Sequence, residues 1–366
     1  MHRSILIDAS HWEVPEPTGV ERYVDSLLPR LFAPLLEANF DRIHLVGYSE
    51  KPSKPLPDAV EWHASPPRKL WGQRTLLDWQ RRLNPSLFFT PSGIPPLRSK
   101  VPTVFTVHDL SFYRSPDSYN IQQLFRLQGM AKYAAKRAAA LCVPSQFVKE
   151  DLIAKWHIPE TCIHITPLAL PEGKHIKASA PSWLPASPFL LYVGRIEHKK
   201  NLATIITAFE HLEAQPDLLL VLAGKDGVGA QQIHRIIAAL PPKTRARILV
   251  PGYISEEEKQ WLYEHAELSL VPSPYEGFGL PVLEAFAAQV PVLCAAGGGV
   301  AEVAAAAALQ VESFNAESWQ KAMYTGLSDR KLRKELRYAG MQRLADFTWP
   351  ATAQATVQAF TAALPS

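Results

Sequence analysis

The segment VPSPYEGFGLPVLEAFAAQVPVL, residues 271–293, holds a strand end, a glycine-bearing loop, a helix start and the approach to a second strand within 23 residues. An apolar run ends at Ser273, Gly277 and Gly279 follow, and Pro281 stands at the opening of a helix, where its fixed φ is already suited to the helical conformation. Backbone N–H groups of such a loop can approach an anion closely, and the positive end of the helix dipole favours phosphate. Glu284 falls about one turn into the helix, while Glu276 precedes the glycines. One carboxylate is therefore expected to accept from sugar or ribose hydroxyls on the helix side, and the other to face the opposite end of the same ligand.

On both sides of this segment, short apolar runs alternate with stretches of helical period, the pattern of a parallel sheet with crossover helices. The fold class is α/β. In the later part of the chain, strands are expected at 189–195, 218–224, 247–253, 268–273 and 291–296, and the first helix carries Leu202, Ile205, Ile206, Phe209 and Leu212 on one face. In the earlier part, Ile5–Ile7 is followed by a stripe at Val20, Tyr23, Val24, Leu27, Leu28 and Leu31, and further strands are expected at 42–47, 87–90, 103–108, 140–144 and 162–166. Helical pattern fills 121–139 and 146–156. Between the halves the periodicity fails from about 168 to 188, in a Pro- and Ser-rich text that suits a linker. The expected domains are 1–175, a linker at 176–188, a second domain at 189–345, and a C-terminal helix at 346–366 that packs back on the first domain; the stretch from 331 onward is helical by pattern, has no strand of its own and can pack on either half. Two such halves place a ligand cleft at their interface.

Length and composition limit the function. A chain of 366 residues suits two domains. With 47% hydrophobic and 20% charged residues it reads as an ordinary enzyme, and a formal charge of +3 over this length argues against nucleic acid as a partner. Cys142, Cys162 and Cys294 form no C-x-x-C pair, so they read as buried thiols in a reducing cytoplasm. No apolar segment is long enough to span a bilayer, and the first residues lack the apolar core of a signal peptide. The expected location is cytoplasmic.

Other clusters complete the candidate site. GRIEHKKN, 194–201, leaves the carboxyl end of a strand with Arg195 and Lys200, two cations suited to a diphosphate. TVFTVHDL, 103–110, ends a strand with His108 and Asp109, and PTGVERYV, 17–24, opens a helix at Gly19, a further anion cradle. No G-x-x-x-x-G-K-[ST] segment is present, GKDGVGA at 224–230 lacks the full dinucleotide fingerprint, and no D-x-D pair is available to chelate a metal-bound sugar nucleotide. Departing phosphate would be met by protein cations.

The spacing of Glu276 and Glu284 inside EGFGLPVLEA, together with GR and K-N at 194–201, the HD pair at 108–109 and PSQFVKEDL at 144–152, resembles the retaining glycosyltransferases of family 4. That resemblance implies the GT-B fold, two Rossmann-like domains with parallel sheets facing across a cleft that closes over the donor. It implies that Arg195 and Lys200 bind the donor diphosphate, with the loop Gly277, Phe278, Gly279 and Leu280 completing the cradle. Glu284 would hold the ribose and Glu276 the donor sugar. Tyr253 and Ile254 would lie by the base, His108 near the reacting face, and Gly19 against a phosphate. It implies no cofactor and no metal, only a GDP- or UDP-sugar donor as substrate, with a mannose-type hexose favoured and a saccharide or lipid-linked acceptor in bacterial surface polysaccharide synthesis. The triplet Gly297–Gly299 departs from the family pattern. Two rivals share the architecture: a sugar-nucleotide epimerase, which needs no acceptor, and an inactive binding subunit. Residues 66–85 carry five cations with Trp71 and Trp79 interleaved, and basic residues at 126, 132, 136 and 137 follow, so peripheral contact with an anionic membrane is a further expectation.

Overall fold

The computed structural model describes residues 3–14, 19–48, 52–53, 55–114, 116, 119–171, 176–212 and 215–364. The chain divides into two compact units, Met1–Glu172 with Phe347–Ser366, and Gly173–Asp346. Residues 15–18, ahead of Gly19, and 172–175, at the expected domain end, lie outside the described residues.

In the first unit the strands are β1 Arg3–Asp8, β2 Phe40–Gly47, β3 Val60–Ala64, β4 Leu87–Thr90, β5 Thr103–Thr106, β6 Ala140–Val143 and β7 Ile163–Ile165. They form one sheet in the order β3-β2-β1-β4-β5-β6-β7. Every pairing is parallel. β4 to β6 are buried at every residue, which is what a sheet covered on both faces requires of its strands. β3 is the exception. Its alternation VEWHA is polar and half-exposed, as an edge strand tolerates, and for that reason apolar runs do not reveal it.

The second unit repeats the plan with β8 Phe189–Val193, β9 Leu219–Ala223, β10 Ile248–Gly252, β11 Leu268–Val271, β12 Val292–Ala295 and β13 Leu309–Val311, in the order β10-β9-β8-β11-β12-β13. Its core joins Leu190, Ile205, Leu220, Leu268, Leu293, Trp319 and Met323. β13 is only three residues long and follows an alanine run, so it too escapes a pattern reading. Both sheets are doubly wound. The strand order turns back between β1 and β4 in one and between β8 and β11 in the other, and the carboxyl ends at such a turn are where open α/β sheets take ligands.

Residues 176–188 form no helix or strand and lie on the second unit. The Ser179 N–H donates to the Glu257 carbonyl at 3.1 Å, and Trp183 Nε1 donates to Glu258 Oε1 at 3.2 Å. The last two helices part company. Arg330–Leu344 packs on helix Leu280–Ala287 of the second unit, whereas Trp349–Ala362 packs on helix Gly19–Glu37 of the first. Trp349 Nε1 donates to the Leu170 carbonyl at 2.8 Å, and the Phe360 ring lies 4.8 Å from that of Phe89. Cys142 and Cys294 are buried free thiols, but Cys162 is only half-buried, because it closes the short turn that precedes β7. No helix among the described residues is long and apolar enough to cross a membrane.

Candidate active site

In the second unit the site is built where β8 and β11 end. After β8 the chain turns at Gly194, whose φ of 155° is open to glycine, and runs through Arg195 into a tight turn at His198–Lys200 before helix Leu202–Glu210. The loop 224–229 packs directly on this turn. A Cβ at Gly224 would lie 1.9 Å from the Gly194 carbonyl oxygen, and the N–H groups of Ile196 and His198 donate to the carbonyls of Lys225 and Val228. The glycines of GKDGVGA thus serve close backbone packing. Glu197, 7% exposed, faces Arg195 at 3.7 Å and Lys199 at 3.5 Å.

From β11 the chain passes through Glu276 and the glycines to helix Leu280–Ala287. Gly279 caps it with φ 136°, so Pro281 is its second residue, one later than the sequence suggests. Lys200 Nζ donates to Glu276 Oε1, so the loops of two neighbouring strands, 76 residues apart in sequence, meet as an ion pair. Arg195 does not join it: its guanidinium is 67% exposed and turned toward Glu197. Beneath them the Tyr192 hydroxyl donates to the Arg195 carbonyl at 2.9 Å, and burial, with Glu276 and Glu197 adding to it, pushes its pKa well above the ordinary tyrosine value.

Glu284 is held from its own side. Lys259 Nζ donates to Oε1 at 2.8 Å and the Tyr263 hydroxyl to Oε2 at 3.0 Å. Burial by itself would depress the Lys259 pKa, but Glu284 and Glu256 outweigh it and the pKa is raised. Burial, reinforced by Glu284, also raises that of Tyr263. Neither positioning residue stands out in the sequence, since a Lys and a Tyr four apart are ordinary on any surface helix. Tyr253 is 68% exposed beside Lys225, whose Nζ lies 4.7 Å from the ring centroid, and Ile254 is buried. Phe278 is buried as well, so only its backbone is available to a ligand.

The glycine triplet at 297–299 finds its reason in packing. Helix Gly298–Ala304 begins against the loop 275–279: the Gly299 N–H donates to the Glu276 carbonyl at 2.8 Å, and a Cβ on Gly299 would stand 2.4 Å from the Gly277 oxygen. Only glycine permits that approach.

The first unit places other residues. His108 follows β5, half-buried, with Nε2 3.1 Å from the Pro91 carbonyl. A carbonyl can only accept, so Nε2 carries the proton. Burial lowers the imidazole pKa, against the opposing effects of that hydrogen bond and of Asp109, so the neutral ring presents Nδ1 as an acceptor. Tyr23 meets the ring edge-on at 4.8 Å. Asp109 is occupied in accepting from the Ser111 N–H at 2.8 Å. Gly19 opens helix Gly19–Glu37 with open space where a Cβ would stand.

At the β1/β4 turn-back point, a cavity of about 380 Å³ is lined by Asp8, Ser10, Arg68, Trp71, Ser92 and Arg126 among others. Asp8 accepts from Trp71 Nε1 and Thr90 Oγ1, each at 3.1 Å, and burial raises its pKa in spite of these bonds. The sequence gives no sign of Asp8 beyond its place at a strand end. The tryptophans of 66–85 point inward: Trp71 to Asp8, and Trp79 to Ser65 Oγ at 2.8 Å.

Both units are similar to known proteins. The family described as "Glycosyl transferases group 1" matches residues 179–343, and "Glycosyltransferase Family 4" matches residues 17–171. The O-antigen chain mannosyltransferase B of Escherichia coli is 25% identical over 81% of this chain and 77% of its own length. The serotype-specific mannosyltransferase WbdA of Escherichia coli is 28% identical over 72% of this chain, which spans only 34% of that protein. The sucrose-phosphate synthase structure from Thermosynechococcus elongatus superposes with a TM-score of 0.70 at 20% identity, covering 98% of both chains. Anabaena Alr3699/HepE in complex with UDP-glucose gives 0.67 at 16% identity, over 98% of this chain and 100% of that one. The fold is that of the GT-B transferases. Within that class, the chain belongs to the group 1, family 4-like glycosyltransferases.

The Gly299 packing is open to a direct check. Gly299→Ala forces the 276–278 backbone away and should cost about 1–3 kcal/mol, whereas Gly19→Ala should stay within about 0.5 kcal/mol. Urea denaturation of the two variants measures both, and equal stability would show that the approach is not needed.

Proposed function

We propose that this chain is a metal-independent, retaining hexosyltransferase that moves a mannose-type sugar from a GDP- or UDP-sugar to a saccharide or lipid-linked acceptor in bacterial surface polysaccharide synthesis, at the cytoplasmic side of the membrane. The observation that carries the reading is the meeting of Lys200 and Glu276 beside the start of helix Leu280–Ala287, at the point where the second sheet turns back. The names of the mannosyltransferase relatives favour the sugar and the pathway class, and the UDP-glucose held by the Anabaena protein favours a nucleotide-sugar donor.

In this reading the ion pair is the resting state of the donor site. The diphosphate takes Lys200 from Glu276 and is completed by Arg195 and by the backbone of Gly277 to Leu280, at the positive end of the helix. Glu276 is then free to accept from a sugar hydroxyl. Glu284, already oriented by Lys259 and Tyr263, accepts from the ribose, and Tyr253 with Ile254 borders the base. His108 and Gly19 are assigned a sugar hydroxyl and a phosphate oxygen by resemblance.

As the anomeric C–O bond breaks, negative charge gathers on the leaving diphosphate, and preorganised cations and N–H groups lower the barrier. The acceptor oxygen bonds to the anomeric carbon on the same face, and its proton passes to the leaving phosphate oxygen, so configuration is retained. The cavity at the β1/β4 ends is the proposed acceptor site. Asp8 would engage an acceptor hydroxyl, while Arg68 and Arg126 suit the phosphate of a lipid-linked acceptor.

The membrane reading changes with the structure. Trp71 and Trp79 are turned inward, but Arg68, Lys69, Arg74, Arg81 and Arg82 are exposed. Ile121 and Phe125 are 79% and 75% exposed, exposed Arg126 follows directly, and exposed Lys136 and Arg137 stand further along the same helical stretch. Arg68 and Arg126 line the same cavity, so the two basic stretches adjoin. An apolar pair flanked by cations suits an anionic surface.

The test of the reaction is transfer from GDP-mannose and UDP-glucose to a saccharide acceptor without added Mg²⁺ or Mn²⁺, with the product anomer read by NMR. Donor should be consumed only when acceptor is present, and Lys200→Ala should lower kcat by about 100-fold, the usual result of losing one preorganised charge partner of the transition state. Donor turnover without acceptor, or an unaffected variant, would overturn the assignment. For the surface, the protein should float with phosphatidylglycerol vesicles at low salt and not with phosphatidylcholine ones. Phe125→Ser combined with Arg126→Ser should release it, and flotation unchanged by that pair would refute the contact.

A further inference from the structure

The edge of the first sheet holds a constellation that sugar transfer does not use. β2 and β3 pair in parallel, with His44 opposite Glu61 and Val46 opposite His63. Glu61 and His63 are two apart and so project from the same face of β3. Their ligand atoms converge with that of His44. His44 Nδ1 lies 3.1 Å from His63 Nε2 and 3.3 Å from Glu61 Oε2, and His63 Nε2 lies 3.9 Å from the same oxygen.

These separations have a specific meaning. Ligands at roughly 2.0–2.1 Å from a tetrahedral zinc ion stand about 3.3 Å apart, and the three distances bracket that value. A hydrogen bond between the two imidazoles accounts for the first distance and an ion pair of His44 with Glu61 for the second, but neither calls for all three ligand atoms to converge, as one shared ion does. The side chains also differ in burial. His44 is 6% exposed and His63 17%, which fixes two ligands in place, while Glu61 at 50% leaves an open side for solvent. Trp79 lies over the His63 ring at 4.6 Å and is itself anchored to Ser65, so the second imidazole cannot swing away freely.

We propose that His44, Glu61 and His63 bind one divalent cation of the zinc type, with water in the remaining position. Two imidazole nitrogens and one carboxylate suit zinc better than calcium or magnesium, which take oxygen ligands. The ligands come from two strands, and among the described strands β3 has no other neighbour in its sheet than β2. The ion would therefore fasten the edge strand to the sheet and stabilise the first unit, a role separate from the donor site and independent of the proposed reaction.

The experiment uses the purified full-length chain, stripped with a chelator, dialysed and titrated with ZnCl₂ by calorimetry. Metal content after gel filtration is read by elemental analysis, and the same samples are melted with and without zinc. Wild type should retain one equivalent and melt at a higher temperature when zinc is present. Glu61→Gln, at a half-exposed position, and His63→Ala, on the edge strand, should bind at least about tenfold more weakly and lose the shift in melting, while their circular dichroism without metal matches wild type. Wild type that retains no zinc would overturn the proposal and leave a histidine pair sharing a hydrogen bond. Full retention by the Glu61→Gln, His63→Ala double variant would also overturn it, by placing the ion elsewhere on the chain.

Discussion

Backbone approach at glycine is the constraint on which the second unit depends. At two glycines of this unit another stretch of backbone stands closer than any Cβ allows: Gly224 on the Gly194 carbonyl, and Gly299 on the Gly277 carbonyl. The first presses the loop after β9 against the loop after β8. The second presses the start of helix Gly298–Ala304 against the loop after β11. Between them, backbone hydrogen bonds and close backbone packing fix the loops that carry Lys200 and Glu276, and the ion pair of those two side chains ties one loop to the other. An anion site needs that rigidity, because a charge donor helps a transition state only if it need not be reorganised when charge develops.

The electrostatics of the site follow from how each carboxylate is partnered. Glu284 has a hydrogen bond on each oxygen from Lys259 and Tyr263, both fixed in helix Glu256–His265, so it is an oriented acceptor. Glu276 is paired with Lys200, the partner that, in the proposed reading, a phosphate takes from it. Glu197 is buried between Arg195 and Lys199 and shapes the turn itself. Three glutamates in one unit are thus distinguished by which cation each faces.

Much of this was legible in the sequence, for physical reasons that differ from element to element. Buried parallel strands must be apolar throughout, so β4, β5, β6, β8 and β9 announce themselves. β3 and β13 do not, since an edge strand is free to be short and polar. The strand-loop-helix text around Gly277 and Gly279 marks the proposed anion site because glycine and proline are restricted in what else they can do there. The triplet at 297–299 shows a departure from the family pattern without its cause, since close packing on a distant loop is not written locally. The tryptophans of 66–85 mislead in the opposite direction: an indole N–H that finds Asp8 or Ser65 inside the fold looks the same in sequence as one that faces a lipid surface. Asp8, Lys259, Tyr263 and the pairing of His44 with His63 are visible only in three dimensions, because their meaning lies in the partner.

The central claim is that the second unit grips a diphosphate through Lys200 and the loop before helix Leu280–Ala287. Calorimetric titration of GDP and UDP against their nucleosides, on wild type and on Lys200→Ala, tests it most directly. The account predicts that the diphosphates bind far more tightly than the nucleosides to wild type, and that Lys200→Ala removes most of that difference. Equal binding of nucleoside and diphosphate by wild type, or a difference left intact in the variant, would contradict it.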